Sequence, residues 1–365
     1  MSDLETLKLD DVCTFKTGKL NSNASIENGA YPFYTCAQTI YRTNTYSFDT
    51  ECVILGGNNA EARYPIFYKN GKFDAYQRNY IIEPKDNSII NVRWLYYSLS
   101  TYLEYMRLAS TGATTRFLTL TILKNIKLNV PSINTQIKIA DTLSTYDNLI
   151  ENNNRKIRIL EQAAEELYKE WFVRMRFPGH EKTKFDKGIP EGWEVKKIGE
   201  MATFKRGKNL KITDAIEGDV PVIAGGIDPS CYHNESNTKA PVITVSASGA
   251  NAGYIRLNFV DVWASDCSYI DSEDSEQVYY IYLLMKVSQK EILNLQLGSA
   301  QPHVYARDLN NFSFLKPPQN LIKEINKQAQ VIFNEVKNLN LQNQNLIKQR
   351  DLLLPRLMNG TITVK

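Results

Sequence analysis

Two patterns of apolar and polar positions alternate along this chain. Up to about residue 130, short apolar runs are broken by Gly, Asn and Asp, as in Cys52-Val53-Ile54-Leu55 before Gly56-Gly57-Asn58-Asn59, the grouping expected of strands closed by turns. Beyond Pro131 the period changes. A seam steps by four and three through Ile139, Leu143, Tyr146, Ile150, Asn153, Ile157, Leu160, Ala164, Leu167 and Trp171. Both patterns then return. Val242-Ile243-Thr244-Val245 precedes Ser248-Gly249-Ala250-Asn251, and a second seam runs through Ile325, Ala329, Ile332, Val336, Leu339, Asn343, Leu346, Arg350, Leu353 and Leu357. Each second-seam position lies 186 residues after its counterpart. A 3.5-residue repeat kept over more than four heptads predicts coiled-coil packing, with helices ~50 Å long. Shorter helices are predicted inside the strand-rich parts, over residues 92–99 and 278–284.

The return of both patterns is a tandem duplication. The segment Leu9-Asp10-Asp11-Val12-Cys13-Thr14-Phe15-Lys16-Thr17-Gly18-Lys19 recurs as Ile198-Gly199-Glu200-Met201-Ala202-Thr203-Phe204-Lys205-Arg206-Gly207-Lys208, an offset of 189 residues. By Thr111 against Leu297 and Pro131 against Pro317 the offset has fallen to 186, so a loop of the second copy is shorter. The predicted class is α+β: two α+β modules in tandem, separated by two long helices that pair as an antiparallel coiled coil with pseudo-twofold symmetry. The expected segments are 1–130 (first module), 131–176 (central helix), 177–316 (linker and second module) and 317–365 (C-terminal helix). Asn153 and Asn343 are the polar intrusions in the two seams. The helix midpoints, 155 and 341, put them opposite each other, where paired asparagines would set the register.

Length agrees with more than one domain, because 365 residues exceed what a single core usually holds. No run approaches the roughly 20 apolar residues of a membrane span. The acidic start Met-Ser-Asp-Leu-Glu lacks a secretory signal, so the cytosol is expected. Five scattered cysteines and three histidines form no C-x-x-C pair or metal-ligand spacing, which points to reduced structural thiols and no metal site. A net charge of +3 permits a polyanionic partner without requiring one.

Three further segments carry a family resemblance. Arg176-Phe177-Pro178-Gly179-His180-Glu181 and Gly188-Ile189-Pro190-Glu191-Gly192-Trp193 join the first helix to the second module, and the chain closes on Leu352-Leu353-Leu354-Pro355-Arg356-Leu357-Met358-Asn359-Gly360. With the duplication, they make the whole chain similar to the specificity subunit of type I restriction-modification enzymes. The first module lacks its own copy of the Pro-x-Gly-Trp lead-in. The resemblance implies a non-catalytic subunit whose two target-recognition domains each bind half of a bipartite site in double-stranded DNA. It also implies that the helices dock two methyltransferase subunits, with a restriction or translocase subunit as a further partner. S-adenosylmethionine, Mg²⁺ and ATP would belong to those partners, leaving this chain without a cofactor.

DNA reading needs cations for phosphates and polar or apolar groups for base edges. The first candidates are Lys16 and Lys19 beside Gly18, and Lys205, Arg206 and Lys208 around Gly207, matched across the repeat and placed where a turn would present charge. The second are Thr111, Thr114, Thr115 and Arg116 in one loop and Ser299, Gln301 and His303 in its counterpart. Arg42, Arg63, Arg78, Asn251, Arg256 and Arg307 follow as isolated polar or basic positions. Tyr96-Tyr97 and Tyr279-Tyr280 fall in helical stretches and are read as core.

The rival reading is a stand-alone DNA methyltransferase or nuclease. A methyltransferase would need a glycine-rich cofactor loop after a strand and an Asn/Asp-Pro-Pro-aromatic motif. Lys316-Pro317-Pro318-Gln319 supplies only the prolines. Asp186 with Glu194-Val195-Lys196 is the only nuclease-like acid set noted, and it falls in the linker. No catalytic residue is therefore assigned.

Overall fold

The computed structural model describes residues 5–59, 62–112, 115–295 and 302–364. By compactness the chain divides into two units, Met1–Asn152 with Asn343–Lys365, and Asn153–Gln342. The division does not follow the linear order of segments, because it cuts each long helix, Ile133–Phe172 and Gln319–Met358, near its middle. These two helices keep the 186-residue offset at both ends.

In the first unit six strands form one sheet, in the order Cys13–Thr17, Asn79–Pro84, Phe48–Gly56, Ile66–Ala75, Tyr31–Tyr34, Tyr41–Thr43. The pairs are antiparallel except Tyr31–Tyr34 with Ile66–Ala75. Val53, Leu55 and Ile82 point to one face and pack with Trp94, Leu95 and Leu99 of the helix Val92–Thr101, while Cys52, Ile54 and Ile81 alternate onto the other face and are buried there with Phe48 and Phe73. Asn91 caps that helix by accepting from Trp94 N at 2.9 Å. Fully buried Gln136 fastens the long helix beside it, donating to the carbonyls of Ile89 (2.8 Å) and Pro131 (2.9 Å) and accepting from Asn91 N (2.9 Å). Leu357, from the end of the second long helix, joins Ile139, Ala140 and Leu143 in the same core. Beside it Arg350 Nη1 donates to Asp147 Oδ1 at 2.7 Å, and the Tyr97 hydroxyl donates to the other oxygen of that carboxylate.

The second unit repeats the path with one break. Val220–Ile223 runs parallel to Trp263–Ala264 as Tyr31–Tyr34 does to Ile66–Ala75, with every register pair moved by 189 residues. Here, however, the strands fall into a four-stranded sheet (Lys205–Arg206, Cys267–Ile270, Val242–Ser246, Ile255–Asn258) and a three-stranded one (Cys231–His233, Val220–Ile223, Trp263–Ala264). The ten-residue strand Ile66–Ala75 is replaced by two short ones. Between them Asp261 turns aside to accept from Ala240 N (2.9 Å) and Lys239 Nζ (3.0 Å). The helix Val278–Val287 is buried along most of its length, with Tyr279 stacked on Phe333 at 5.7 Å between ring centroids. Tyr279 and Tyr280 are core, as is Tyr97, while Tyr96 is partly buried against the same core.

No seam position of either long helix is exposed: those not buried are half-buried. Asn153 and Asn343 are each 6% exposed, and Asn153 Nδ2 reaches Gln342 Oε1, directly before Asn343, at 3.5 Å. Among the described residues no helix is long and apolar enough to cross a membrane.

Candidate nucleic-acid interface

In each unit one edge gathers loops that are far apart in sequence. In the first, Gly18 N donates to Asn79 O (3.1 Å), Lys19 N to Ala75 O (2.9 Å), Gly57 N to Arg78 O (2.8 Å) and Leu118 N to Gly57 O (2.9 Å). Asn58 pairs with Phe117 and Asn59 with Arg116 as short antiparallel strands. Thr111 and Phe117 bridge to close the 111–117 loop. The result is a cleft of about 270 Å³ whose wall includes Thr17, Gln77, Arg78, Tyr80, Phe117 and Leu118. Gly18 is required here because a Cβ would lie 2.2 Å from Tyr76 O.

The second unit builds the same frame. Lys208 N donates to Ala264 O at 2.9 Å, Gly207 N to Cys267 O at 2.8 Å and Val304 N to Ala247 O at 3.0 Å, while Ser248 bridges His303. A Cβ on Gly207 would meet Ser265 O at 2.3 Å. Within this frame Arg206 Nη2 donates to Asp266 Oδ1 at 2.5 Å, and the Ser248 hydroxyl donates to Asp266 Oδ2. His303 stacks on Tyr305 with rings 10° apart. The 3-10 turn Gly249–Asn251 puts Asn251, half-buried, just beyond Ser248.

The candidate residues separate by environment. Lys19 and Lys208 are exposed at the two edges, their ammonium groups each 5.8 Å from a ring centroid, Phe48 and Trp263 respectively. Lys16 and Lys205 lie on strands and are taken by carboxylates, Glu83 at 2.5 Å and Asp274 at 2.6 Å. The Asp274 bond holds the Lys205 ammonium above the usual lysine range. Arg42 donates to the carbonyls of Gly29 (2.5 Å) and Ala30 (2.8 Å), and Arg256 to that of Ile227 (2.7 Å), so each guanidinium fastens a loop. Arg63 follows the Asn58–Asn59 strand, its amide donating to Asn59 Oδ1 at 3.4 Å. Arg116 Nη1 donates to Ser110 O at 3.2 Å, half-buried Thr115 precedes it, and Arg307 is 77% exposed on Ala306–Asn310 beside Asp308. Thr114, Ser299 and Gln301 lie outside the described residues.

Thr17, Asn58, Gln77 and Phe117, and in the second unit Ser248 and Asp266, stand in these edges but were not singled out from sequence. Only strand register brings them together. A signal existed for some: Asn58 and Ser248 follow matched apolar runs. Lys196 is taken by Glu194 (3.4 Å) and Glu200 (3.6 Å), and no group of three or more His, Cys, Asp or Glu among the described residues is arranged to hold a metal ion.

One edge frame is repeated in the two modules, as the tandem duplication in the sequence leads one to expect, and comparison with known proteins defines the class of the chain. The sequence matches the family described as type I restriction modification DNA specificity domain twice, over residues 1–162 and 190–349, and the chain belongs to that family. It is 30% identical over 355 residues to the type I restriction enzyme MjaIX specificity subunit of Methanocaldococcus jannaschii, covering 90% of this chain and 80% of that one. It is 31% identical over 182 residues to the EcoDI specificity subunit of Escherichia coli, covering 46% of this chain and 40% of that one. In fold it resembles the crystal structure of a type I restriction-modification system S subunit from M. genitalium, with a TM-score of 0.61, 19% identity and coverage of 98% of this chain and 96% of that one.

Proposed function

We propose that this chain is the non-catalytic, sequence-reading subunit of a type I restriction-modification complex in the cytoplasm. Each module binds one half of a bipartite site in double-stranded DNA through its gathered edge. The long helices hold the modules at a set spacing and dock two methyltransferase subunits, to which a restriction subunit adds. S-adenosylmethionine, Mg²⁺ and ATP act in those partners. This chain contributes binding, orientation and spacing.

One observation carries the reading: both modules build the same backbone frame, with Lys19 N on Ala75 O and Lys208 N on Ala264 O each at 2.9 Å, yet fill it with different side chains. A common frame with variable contents suits a subunit that reads two unlike half-sites at once, since occupancy of one raises the effective concentration at the other. Helices of 40 residues span ~60 Å. At ~3.4 Å per base pair that is less than two turns of duplex, the scale of two half-sites on neighbouring turns.

Selection of the purified chain, with co-expressed methyltransferase subunits, on a pool of randomised duplexes at two salt concentrations tests this. Enrichment of a motif in two parts with a fixed gap is the expected result. Binding that falls with salt but selects no motif, or no binding with partners present, refutes it.

A further inference from the structure

We infer that the two modules read half-sites of different base composition, guanine through Arg206 in one and adenine through Gln77 in the other, from edges that the repeat makes equivalent. The inference rests on the DNA-reading function proposed above and adds what each edge selects.

Four places in the common frame carry it. Thr17 corresponds to Arg206 at the 189-residue offset, Asn58 to Ser248 through the matched apolar runs, Arg78 to Asp266 by strand register, and Phe117 to His303 at 186. Register gives the matches: Gly57 N donates to Arg78 O as Ala247 N donates to Asp266 O, Asn58 pairs Phe117 as Ser248 pairs His303, and the amide of the following residue, Leu118 or Val304, donates to Gly57 O or Ala247 O. Backbone geometry is therefore shared while the side chains change from Thr17, Asn58, Arg78 and Phe117 to Arg206, Ser248, Asp266 and His303.

In the second module Arg206 is half-exposed (51%) and Asp266 is its hydrogen-bond partner among the described residues. One of the five guanidinium N–H groups is thus spent on an orienting carboxylate. The Ser248 hydroxyl holds that carboxylate from its other oxygen, so the fork is fixed before any ligand arrives. A planar fork with donors to spare matches the two acceptors, O6 and N7, on the major-groove edge of guanine. Adenine would set its N6 donor against the same fork.

In the first module no carboxylate stands at the place of Asp266, which Arg78 takes instead. Gln77 is exposed, and its amide offers the acceptor and donor that pair with N6 and N7 of adenine. Phe117 (40% exposed) and the methyl group of exposed Thr17 stand in the same cleft, suited to the thymine methyl. Asn58 Oδ1 is buried there without a hydrogen-bond partner among the described residues, a pattern that sites awaiting a ligand show. Arg78, also in that wall, occupies the place of Asp266 in the second module. It is assigned to backbone phosphates together with Lys19 and Lys208.

The test selects the full chain, with its methyltransferase subunits, on a randomised duplex pool, comparing the parent with Arg206→Lys, Gln77→Ala and Arg78→Gln. The parent should enrich guanine in one half and adenine in the other. Arg206→Lys keeps the charge but loses the fork, so preference at that guanine should fall about tenfold or more while the other half is unchanged. Gln77→Ala should relax only the adenine half. Arg78→Gln should weaken binding and flatten its salt dependence without altering the motif. The half that stays intact reports that each variant is folded. If the parent selects no two-part motif, the DNA-reading function itself fails. If it selects one and Arg206→Lys and Gln77→Ala leave both halves unchanged, or relax both together in a chain that melts like the parent, the base assignment is overturned and the function stands.

Discussion

Arg350 occupies a seam position of the second long helix where an apolar residue would be expected. It is held there by Asp147, whose carboxylate also accepts from Tyr97. At the matched places of the second unit stand Ala164 and Phe333, both essentially unexposed, so this polar network belongs to one unit alone. Replacing Arg350 with methionine keeps the stem and removes the charge, leaving Asp147 with one partner. A hydrogen bond to a charged group contributes ~1.5–3 kcal/mol, and loss of one partner of a buried pair costs about 3–5 kcal/mol against less than about 1 for an exposed one. Side-chain exposures of 27% and 29% put this pair between those limits, and we expect a loss of about 1–2 kcal/mol. For a unit of this size that lowers the melting midpoint by about 2–8 °C. Asp147→Asn should cost about 1 kcal/mol. The double variant should lose less than the two singles together by about 1 kcal/mol, because the second change removes a partner already missing. Urea unfolding gives the energies, and hydrogen exchange in peptides from residues 92–101 and 133–152 locates the loss. A neutral Arg350→Met, strict additivity, or exchange that rises only in the second unit would refute the reasoning.

Further expectations rest on separate features. Gly18→Ala and Gly207→Ala each force a Cβ to within 2.3 Å of a backbone carbonyl oxygen, so each should cost about 1–3 kcal/mol in a urea titration and weaken DNA binding; a neutral effect on both would contradict the frame. Lys19→Gln and Lys208→Gln should each reduce the slope of log affinity against log salt by about 1 without changing the selected motif. Burial pushes the thiols of Cys13, Cys52 and Cys267 from the ordinary 9.0 up to about 12. The folded chain therefore holds those protons where the unfolded chain has lost them. The thiols' contribution to stability should be constant below pH 9 and fall as pH rises from 9 toward 12, by up to about 1.4 kcal/mol per pH unit for each thiol, and Cys52→Ala should flatten the fall. A urea midpoint that does not move between pH 8 and 10.5 would contradict this.

The repeat made much of this fold legible from sequence. The offsets of 189 and 186 that align the two copies reappear as strand register and as the bounds of both long helices. The seams were readable because 3.5-residue periodicity is local. The site was less so, since the edge is assembled by pairing between strands dozens of residues apart. Nothing in sequence distinguishes Arg78, which lines the cleft, from Arg42 and Arg256, whose guanidinium groups are spent on backbone carbonyls. Lys16 and Lys205 look like a matched basic turn, but strand pairing brings Glu83 and Asp274 against them. The split of the second sheet was equally hidden, because it depends on where Asp261 turns, a tertiary contact with Lys239 and Ala240.

The central claim is that one chain reads two half-sites and thereby directs modification by other subunits. Its most direct test is a map of methylated bases in DNA from cells carrying this chain with methyltransferase subunits, compared with cells in which Arg206→Lys replaces the parent. The account predicts methylation confined to a two-part motif with a fixed gap, relaxed in one half only by the substitution. Methylation at a single uninterrupted motif, or a two-part motif that the substitution leaves untouched in affinity and sequence while the chain alone methylates DNA, would contradict it.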